Sequence, residues 1–373
     1  MTARIIKIYG QPGDLDRIRE AATIIDGGGL VAFPTETVYG IACLARQDSL
    51  ARLDEIKGRD TNKHYTLHIG QIEEYHRYVP RAGLRAEKLA RQAWPGPLTL
   101  VFKLEPSDMA DRKSGLDTDA IEALYKNNSI GIRCPDHPLA SLLLRSVSGP
   151  VVAPSANLSG KEPAVNAEQV LSQFSDRIDV ILDGGPCKYG RSSTVATVGA
   201  RGVEVLREGI YSLEQLQAMS QVVFLFVCTG NTCRSPMAEG LFRKHLAEKI
   251  GCGIDELEPL GYKVLSAGTM DMAGMPASIE ALLACGRNGV NLDDHRSRRL
   301  TRSLVETSDR IFGMARPHCE HVIFLSPEAE SKCSLLAGDH EIPDPIGRPQ
   351  EYFDNCANLI EDAVKARIRE LVL

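Results

Sequence analysis

The stretch Cys228-Thr229-Gly230-Asn231-Thr232-Cys233-Arg234-Ser235 puts a thiol, a guanidinium and a hydroxyl within one short segment. An apolar run, VVFLFV at 222–227, precedes it, and a helix-prone stretch, PMAEGLFRKHLAEKI, follows. The order is buried strand, tight loop, helix N-terminus. Backbone N–H groups in such a loop point inward, so it binds an anion and favours the thiolate form of Cys228. Gly230 and Asn231 tolerate the left-handed backbone angles that the loop needs. Arg234 can grip two phosphate oxygens with its planar fork, which a lysine could not do. Ser235 can hydrogen-bond the sulfur. The expected chemistry is thiolate attack on a phosphoryl group, which needs an acid for the leaving group. Asp344 in IPDPIG (342–347), held between Pro343 and Pro345, is the candidate.

The first half carries a looser constellation. No GxxxxGK[ST] stretch occurs in residues 1–210, so a standard nucleotide phosphate loop is not indicated. Polar residues gather instead at expected strand ends. They are Thr35 and Thr37 in PTETVYG, Lys57 and Arg59 in KGR with Lys63 nearby, and His68 in LHIG. Arg133 in GIRCP, Ser155 and Asn157 in SAN, Ser193 in GRSST and Arg207 in LREG complete the set. Taken singly, each has an ordinary structural role, the cations at a helix C-terminus and Ser155 and Asn157 as turn caps.

The elements that must position these residues follow from apolar patterning. Strands are expected at 30–34, 98–103, 129–135, 150–155 and 179–185. Helices are expected at Asp14–Asp26, Asp48–Ile56, Leu84–Ala93, Pro138–Ser146 and Ala167–Phe174. In the second half, strands at 222–227, 263–266, 310–314 and 321–325 alternate with helices near 235–249, 276–288, 300–306 and 351–372. This is α/β throughout: a mixed first domain with a twisted open sheet, then a small doubly wound parallel sheet. The polar stretch YSLEQLQAMSQ (211–221) reads as the seam between domains 1–212 and 222–373.

Composition bounds the function classes. A chain of 373 residues exceeds one typical domain of roughly 100–200 residues. The formal net charge of -6 is not that of a typical nucleic-acid binder, and aromatic content of 5% argues against a base-stacking platform. Ten cysteines without a CxxC pair suggest free thiols in a reducing cytosol and no zinc site. No apolar run of membrane-spanning or signal-peptide length occurs, so a cytoplasmic protein without a membrane partner is expected.

From Val222 onward the chain resembles the low-molecular-weight protein phosphatases, through CTGNTCRS, SAGT (266–269) and the IPDPIG aspartate. The resemblance implies a phosphocysteine on Cys228, phosphate binding by Arg234 and by the loop residues Thr229–Cys233 and Ser235, Asp344 as general acid then base, and no cofactor. The stretches 270–276 and 346–350 lack the aromatics usual in phosphotyrosine-specific members, and Thr232 resembles the protein-arginine phosphatase branch. Phosphoarginine is therefore the favoured substrate and phosphotyrosine the second. Arsenate reduction on the same loop is a rival that would need Cys285, Cys319 or Cys333 to reach Cys228.

Residues 15–210 resemble the YrdC-like threonylcarbamoyl-AMP synthases through PTETVYG, KGR, WPGPLT (94–99), IRCPDHP (132–138), SANLSG (155–160), STV and REG. The resemblance implies synthesis of threonylcarbamoyl-AMP from L-threonine, bicarbonate and ATP, with Mg2+. The product serves a tRNA-modifying transferase complex that makes t6A37. It assigns Lys57, Arg59, Lys63, Asn157 and Arg207 to ATP, and Thr35, Thr37, His68, Arg133, Ser155 and Ser193 to threonine. A nucleotide- or RNA-binding module without turnover is the alternative. The stretch 106–128 departs from the family pattern and is expected to be a lid or an inert loop.

Overall fold

The computed structural model describes residues 3–58, 65–105 and 116–373. The chain separates into two compact units, Met1–Ser220 and Gln221–Leu373.

The first unit is built on one mixed sheet. Its strands are β1 (Arg4–Lys7), β2 (Val31–Phe33), β3 (Gly40–Leu44), β4 (Thr66–His68), β5 (Leu98–Lys103), β6 (Ser129–Arg133), β7 (Val151–Val152), β8 (Val180–Asp183), β9 (Thr194–Gly199) and β10 (Gly202–Arg207). They lie in the order β1-β8-β2-β3-β7-β4-β6-β5-β9-β10. Apolar residues line both faces, as a sheet covered on both sides requires. Val31 and Phe33 face the helices Asp14–Asp26 and Pro138–Ser146, whereas Ala32 faces the larger core with Leu67, Leu100 and Ile132. Residues 211–221 do not form a bare linker. Ser212 caps the helix Leu213–Met219 through a capping box, and Leu216 is fully buried. Within 106–128, residues 106–115 lie outside the described residues. Beyond them Asp117 caps the helix Thr118–Leu124, which buries Ala120 and Leu124, so this part is packed structure rather than loop.

The second unit has four strands, β11 (Val222–Cys228), β12 (Tyr262–Gly268), β13 (Arg310–Gly313) and β14 (Cys333–Leu335). All pair in parallel, in the order β12-β11-β13-β14. Alternate residues of β11 serve opposite faces. Leu225 and Val227 pack with Leu300, Val305 and Val322. Phe226 sits among Phe242 and Phe312 on the other face, with ring centroids 5.1 and 5.5 Å away. The first strand of the unit, β11, is central, and the chain leaves it to opposite sides. A crevice therefore opens at its carboxyl end, where Cys228 stands.

One expected strand is a helix. Residues 321–325 end the helix Arg316–Leu325. Pro317 in its first turn and a bond from the Ala315 amide to His318 start that helix upstream of the apolar run. The run is amphipathic in consequence, with Val322 buried and Phe324 81% exposed.

Removing the central aromatic contact tests this account of the small sheet. Phe226→Ala should destabilise the unit by about 3–5 kcal/mol. Hydrogen exchange at β11 and β13 amides reads this unit separately. A loss below about 1 kcal/mol would contradict the role given to the cluster.

Candidate active sites

The strand order of the first unit brings residues far apart in the chain to one place. The β2–β3 connection carries Thr35 and Thr37, the segment after β7 carries Ser155 and Asn157, and His68 ends β4. Arg133 ends β6, Ser193 precedes β9 and Arg207 ends β10. In the parallel β4–β6 pair, His68 and Arg133 are direct register partners, and Thr99 of β5 pairs with Arg133 from the other side. Around them lies a cavity of about 560 Å³ lined by Thr35, Lys57, His68, Arg133, Ser155, Asn157, Ser193 and Arg207. Among the described residues its wall holds three cations, Lys57, Arg133 and Arg207, and no carboxylate. Arg59 and Lys63 lie outside the described residues.

Arg133 is the most constrained of these groups. Its Nη2 donates to Glu36 Oε1 at 2.9 Å, Thr37 Oγ1 at 2.6 Å and Thr35 Oγ1 at 3.3 Å. The second Glu36 oxygen accepts the Asp136 amide at 3.1 Å. Both members of this ion pair are buried, at 7% and 3% side-chain exposure. Breaking one partner of a buried pair strands the other and costs about 3–5 kcal/mol. The buried Arg133 Nε has no hydrogen-bond partner among the described residues. Thr37 is fully buried behind Arg133 and does not line the cavity.

The other groups are held by neighbours as well. Lys57 Nζ donates to the Ser155 and Asn157 carbonyls, both at 2.5 Å, which ties KGR to SAN. Gly58 then ends that helix in the left-handed region, with φ 56°. Ser155 Oγ donates to Asn157 Oδ1 at 2.6 Å. His68 Nδ1 lies 3.1 Å from the Thr66 carbonyl, which can only accept. The proton is therefore on Nδ1, and Nε2 is left as an acceptor. Burial, then the Arg133 charge, pushes His68 down to about 3, so the ring is neutral. Arg207 Nη2 donates to the Ser193 carbonyl at 2.8 Å, and Ser193 Oγ lies 3.0 Å from Thr99 Oγ1. A Cβ on Gly209 would stand 2.1 Å from the Thr194 amide, so the glycine of REG is demanded by packing.

In the second unit, Cys228 ends β11 and is 3% exposed. The directions of its hydrogen bonds follow from the groups behind it. Ser266 Oγ donates to Glu239 Oε2 at 2.6 Å and accepts from Asn231 Nδ2 at 2.8 Å. The Arg298 amide donates to Asn231 Oδ1 at 2.8 Å, which fixes the orientation of the side-chain amide. Asn231 Nδ2 also donates to Ser235 Oγ at 2.9 Å. Ser235 thus has its own proton left for Cys228 Sγ, 3.0 Å away, and the Asn231 backbone N–H adds a second donor at 3.2 Å. Two donors on one sulfur stabilise a thiolate. Asn231 takes φ 56°, and His295 Nε2 holds its carbonyl at 2.7 Å. A Cβ on Gly268 of SAGT would press against Thr229 O at 2.8 Å and Asn231 N at 3.0 Å.

Arg234 is buried across the same loop. It donates through Nη1 to Ile342 O at 3.2 Å and through Nη2 to Thr229 Oγ1 at 3.4 Å. The same Nη2 forms the ion pair with the half-exposed Asp344. Loop, arginine and acid therefore converge on one face. Thr232 is half-buried, and its carbonyl accepts the Ser278 amide at 2.9 Å. Burial raises the Cys233 thiol, which donates to Ser278 Oγ at 3.5 Å. Cys333 holds the neighbouring Cys319 thiol below its ordinary value. Near the loop, Met270, Met272 and Ile346 are exposed.

Sequence reasoning left out Glu36, Thr99, Glu239, His295 and His318. Glu36 lies inside a noted motif, but its partner is 97 residues away and leaves no spacing signal. Among the described residues, no group of three His, Cys, Asp or Glu side chains could hold a metal, and no helix is long and apolar enough to cross a membrane.

Comparison with known proteins follows the same division. The Sua5/YciO/YrdC family model, described as “Telomere recombination”, matches residues 23–209. The model described as “Low molecular weight phosphotyrosine protein phosphatase” matches residues 223–372. A threonylcarbamoyl-AMP synthase of Bacillus subtilis is 33% identical over 285 residues, covering 73% of this chain and 79% of that protein. One from Pyrococcus abyssi is 34% identical over 235 residues, 62% of this chain, which spans 65% of that protein's length. The crystal structure of P. abyssi Sua5 complexed with L-threonine shares the fold, with a TM-score of 0.51 and 23% identity over 72% of this chain and 92% of that one. The chain belongs to the Sua5/YciO/YrdC family and carries a low-molecular-weight phosphotyrosine protein phosphatase domain behind the family domain.

Proposed function

We propose that the first unit makes L-threonylcarbamoyl-AMP from L-threonine, bicarbonate and ATP, for transfer to tRNA adenosine 37 by a separate modifying complex. The observation that carries this reading is the cavity whose described wall holds three cations, a neutral imidazole and no carboxylate. It suits a carboxylate and a polyphosphate together. The threonine amine takes up carbon dioxide derived from bicarbonate to form a carbamate. A carbamate oxygen attacks the α-phosphate, the bond to the β-phosphate side breaks, and pyrophosphate leaves. Arg133 receives the threonine carboxylate and has an unused Nε for it. His68 Nε2 accepts a hydrogen bond from threonine, and Thr35, Ser155 and Ser193 offer hydroxyls. Lys57, Asn157 and Arg207 face the nucleotide, with Arg59 and Lys63 assigned to the triphosphate. Among the described residues the wall offers no carboxylate for a resident metal, and Mg2+ is proposed to enter as part of the MgATP substrate.

The second unit is proposed as a cysteine-dependent protein phosphatase. The Cys228 thiolate attacks phosphorus, the bond to the side-chain leaving group breaks, and Asp344 gives that group a proton. Water then hydrolyses the phosphocysteine with Asp344 as base. Phosphoarginine is the favoured substrate. Thr232 is a small polar neighbour, and the residues flanking the loop are Met270, Met272 and Ile346 rather than aromatic walls. Both activities are placed in the cytoplasm.

Four outcomes test these readings. Pyrophosphate release should require threonine and bicarbonate together, and Glu36→Gln should raise the KM for threonine about tenfold or more by loosening Arg133. Release independent of threonine, or an unchanged KM, would count against the synthase account. Cys228→Ser should abolish hydrolysis, lowering kcat by about 10³-fold or more. In the parent, kcat/KM for phosphoarginine should exceed that for an aryl phosphate; the opposite order would make the aryl ester the substrate class.

A further inference from the structure

His318 stands in the first turn of the helix Arg316–Leu325 and is 5% exposed. The Ala315 amide donates to its Nδ1 at 3.0 Å. Nδ1 is therefore an acceptor, and the single proton of the neutral ring is on Nε2. Burial, then the Arg234 charge, pushes His318 down to about 4, which keeps the ring neutral. Nε2 lies 3.0 Å from Thr229 Oγ1, so the imidazole donates to that oxygen. Arg234 Nη2 donates to the same oxygen from 3.4 Å.

A threonine oxygen has two lone pairs and one proton. Here both lone pairs receive donors. The hydroxyl proton must point away from both, and among the described residues no acceptor meets it. The nitrogen that reaches Thr229 also carries the Asp344 carboxylate, so the hydroxyl lies on the side of the loop where the acid works. Thr229 directly follows the nucleophile Cys228. From this arrangement we infer that the Thr229 hydroxyl is a substrate-contacting donor to a phosphoryl oxygen, and that His318 is a positioning residue that sets its direction. The inference rests on the phosphatase reading of the second unit and adds a side-chain donor to the backbone donors of the loop. A freely rotating hydroxyl would spend part of its time aimed elsewhere, whereas this one is committed before substrate arrives.

The test is a double-mutant cycle on the full chain, after the Cys228 dependence of turnover has been measured on its own, so that failure of the phosphatase reading is seen separately. Thr229→Val keeps the shape and removes the hydroxyl. It should lower kcat/KM on an aryl phosphate by about 10- to 100-fold, and Thr229→Ser should restore most of it. Thr229→Ala replaces the valine variant if that variant does not fold. His318→Phe should cost about tenfold in the Thr229 background and nothing further in the Thr229→Val background, because it acts only through that hydroxyl. Thermal midpoints are recorded for each variant. Full activity of Thr229→Val overturns the proposal. So does a His318→Phe loss that is equal in both backgrounds, since that is the behaviour of a structural strut.

Discussion

A guanidinium buried next to a carboxylate is the interaction on which each site depends. Arg133 in the first unit is 5% exposed and paired with Glu36; Arg234 in the second is 6% exposed and paired with Asp344. Neither charge could be kept there unpaired, because an isolated buried ion is strongly disfavoured. The two pairs differ in a way that fits the proposed chemistry. Glu36 is as buried as its arginine and is also held by a backbone amide, so it is a fixed counter-charge. Asp344 is 41% exposed on its side chain and sits at the mouth, where a leaving group and then water can reach it. A fixed partner suits a binding group, and an accessible one suits a group that passes protons.

Each arginine is brought to its place by sheet geometry. In the first unit, parallel pairing of β4 with β6 sets His68 beside Arg133, and antiparallel pairing with β5 sets Thr99 on the other flank. In the second, the central β11 delivers the loop to the crevice between chain segments leaving in opposite directions. Glycines then let backbone come close. Gly268 admits the phosphate loop, and Gly209 admits the Ser193–Thr194 backbone.

Much of this was legible in the residues, and the limits have physical causes. The thiolate loop could be read because its parts are local: strand, glycine-asparagine turn, arginine and helix within a few residues. The first-unit cavity could be read only as a set of motifs, since its walls come from strands whose order is set by tertiary pairing. Glu36 and His318 were not assigned roles because their function lies in long-range partners, 97 and 89 residues away. The expected strand at 321–325 failed for a related reason. A short apolar run is ambiguous between strand and helix, and here a proline and a backbone-capping histidine upstream decided for helix. The stretch 211–221 read as polar and loosely helical, yet a single buried leucine, Leu216, anchors it to the first unit's core.

The two imidazoles carry the comparison one step further. His68 and His318 each lie close to a buried arginine, and burial together with that positive charge keeps both neutral. A neutral imidazole has one donor and one acceptor nitrogen, so whichever nitrogen the backbone engages decides what the other offers. At His68 the backbone partner is a carbonyl, Thr66, which leaves an acceptor on the far side of the ring. At His318 it is an amide, Ala315, which leaves a donor. The same side chain in the same electrostatic setting therefore presents opposite hydrogen-bonding faces. An acceptor suits the protonated or hydroxyl end of an amino acid, and a donor suits an oxygen next to a phosphoryl group. The choice is made by one backbone group in each case, before any substrate is bound.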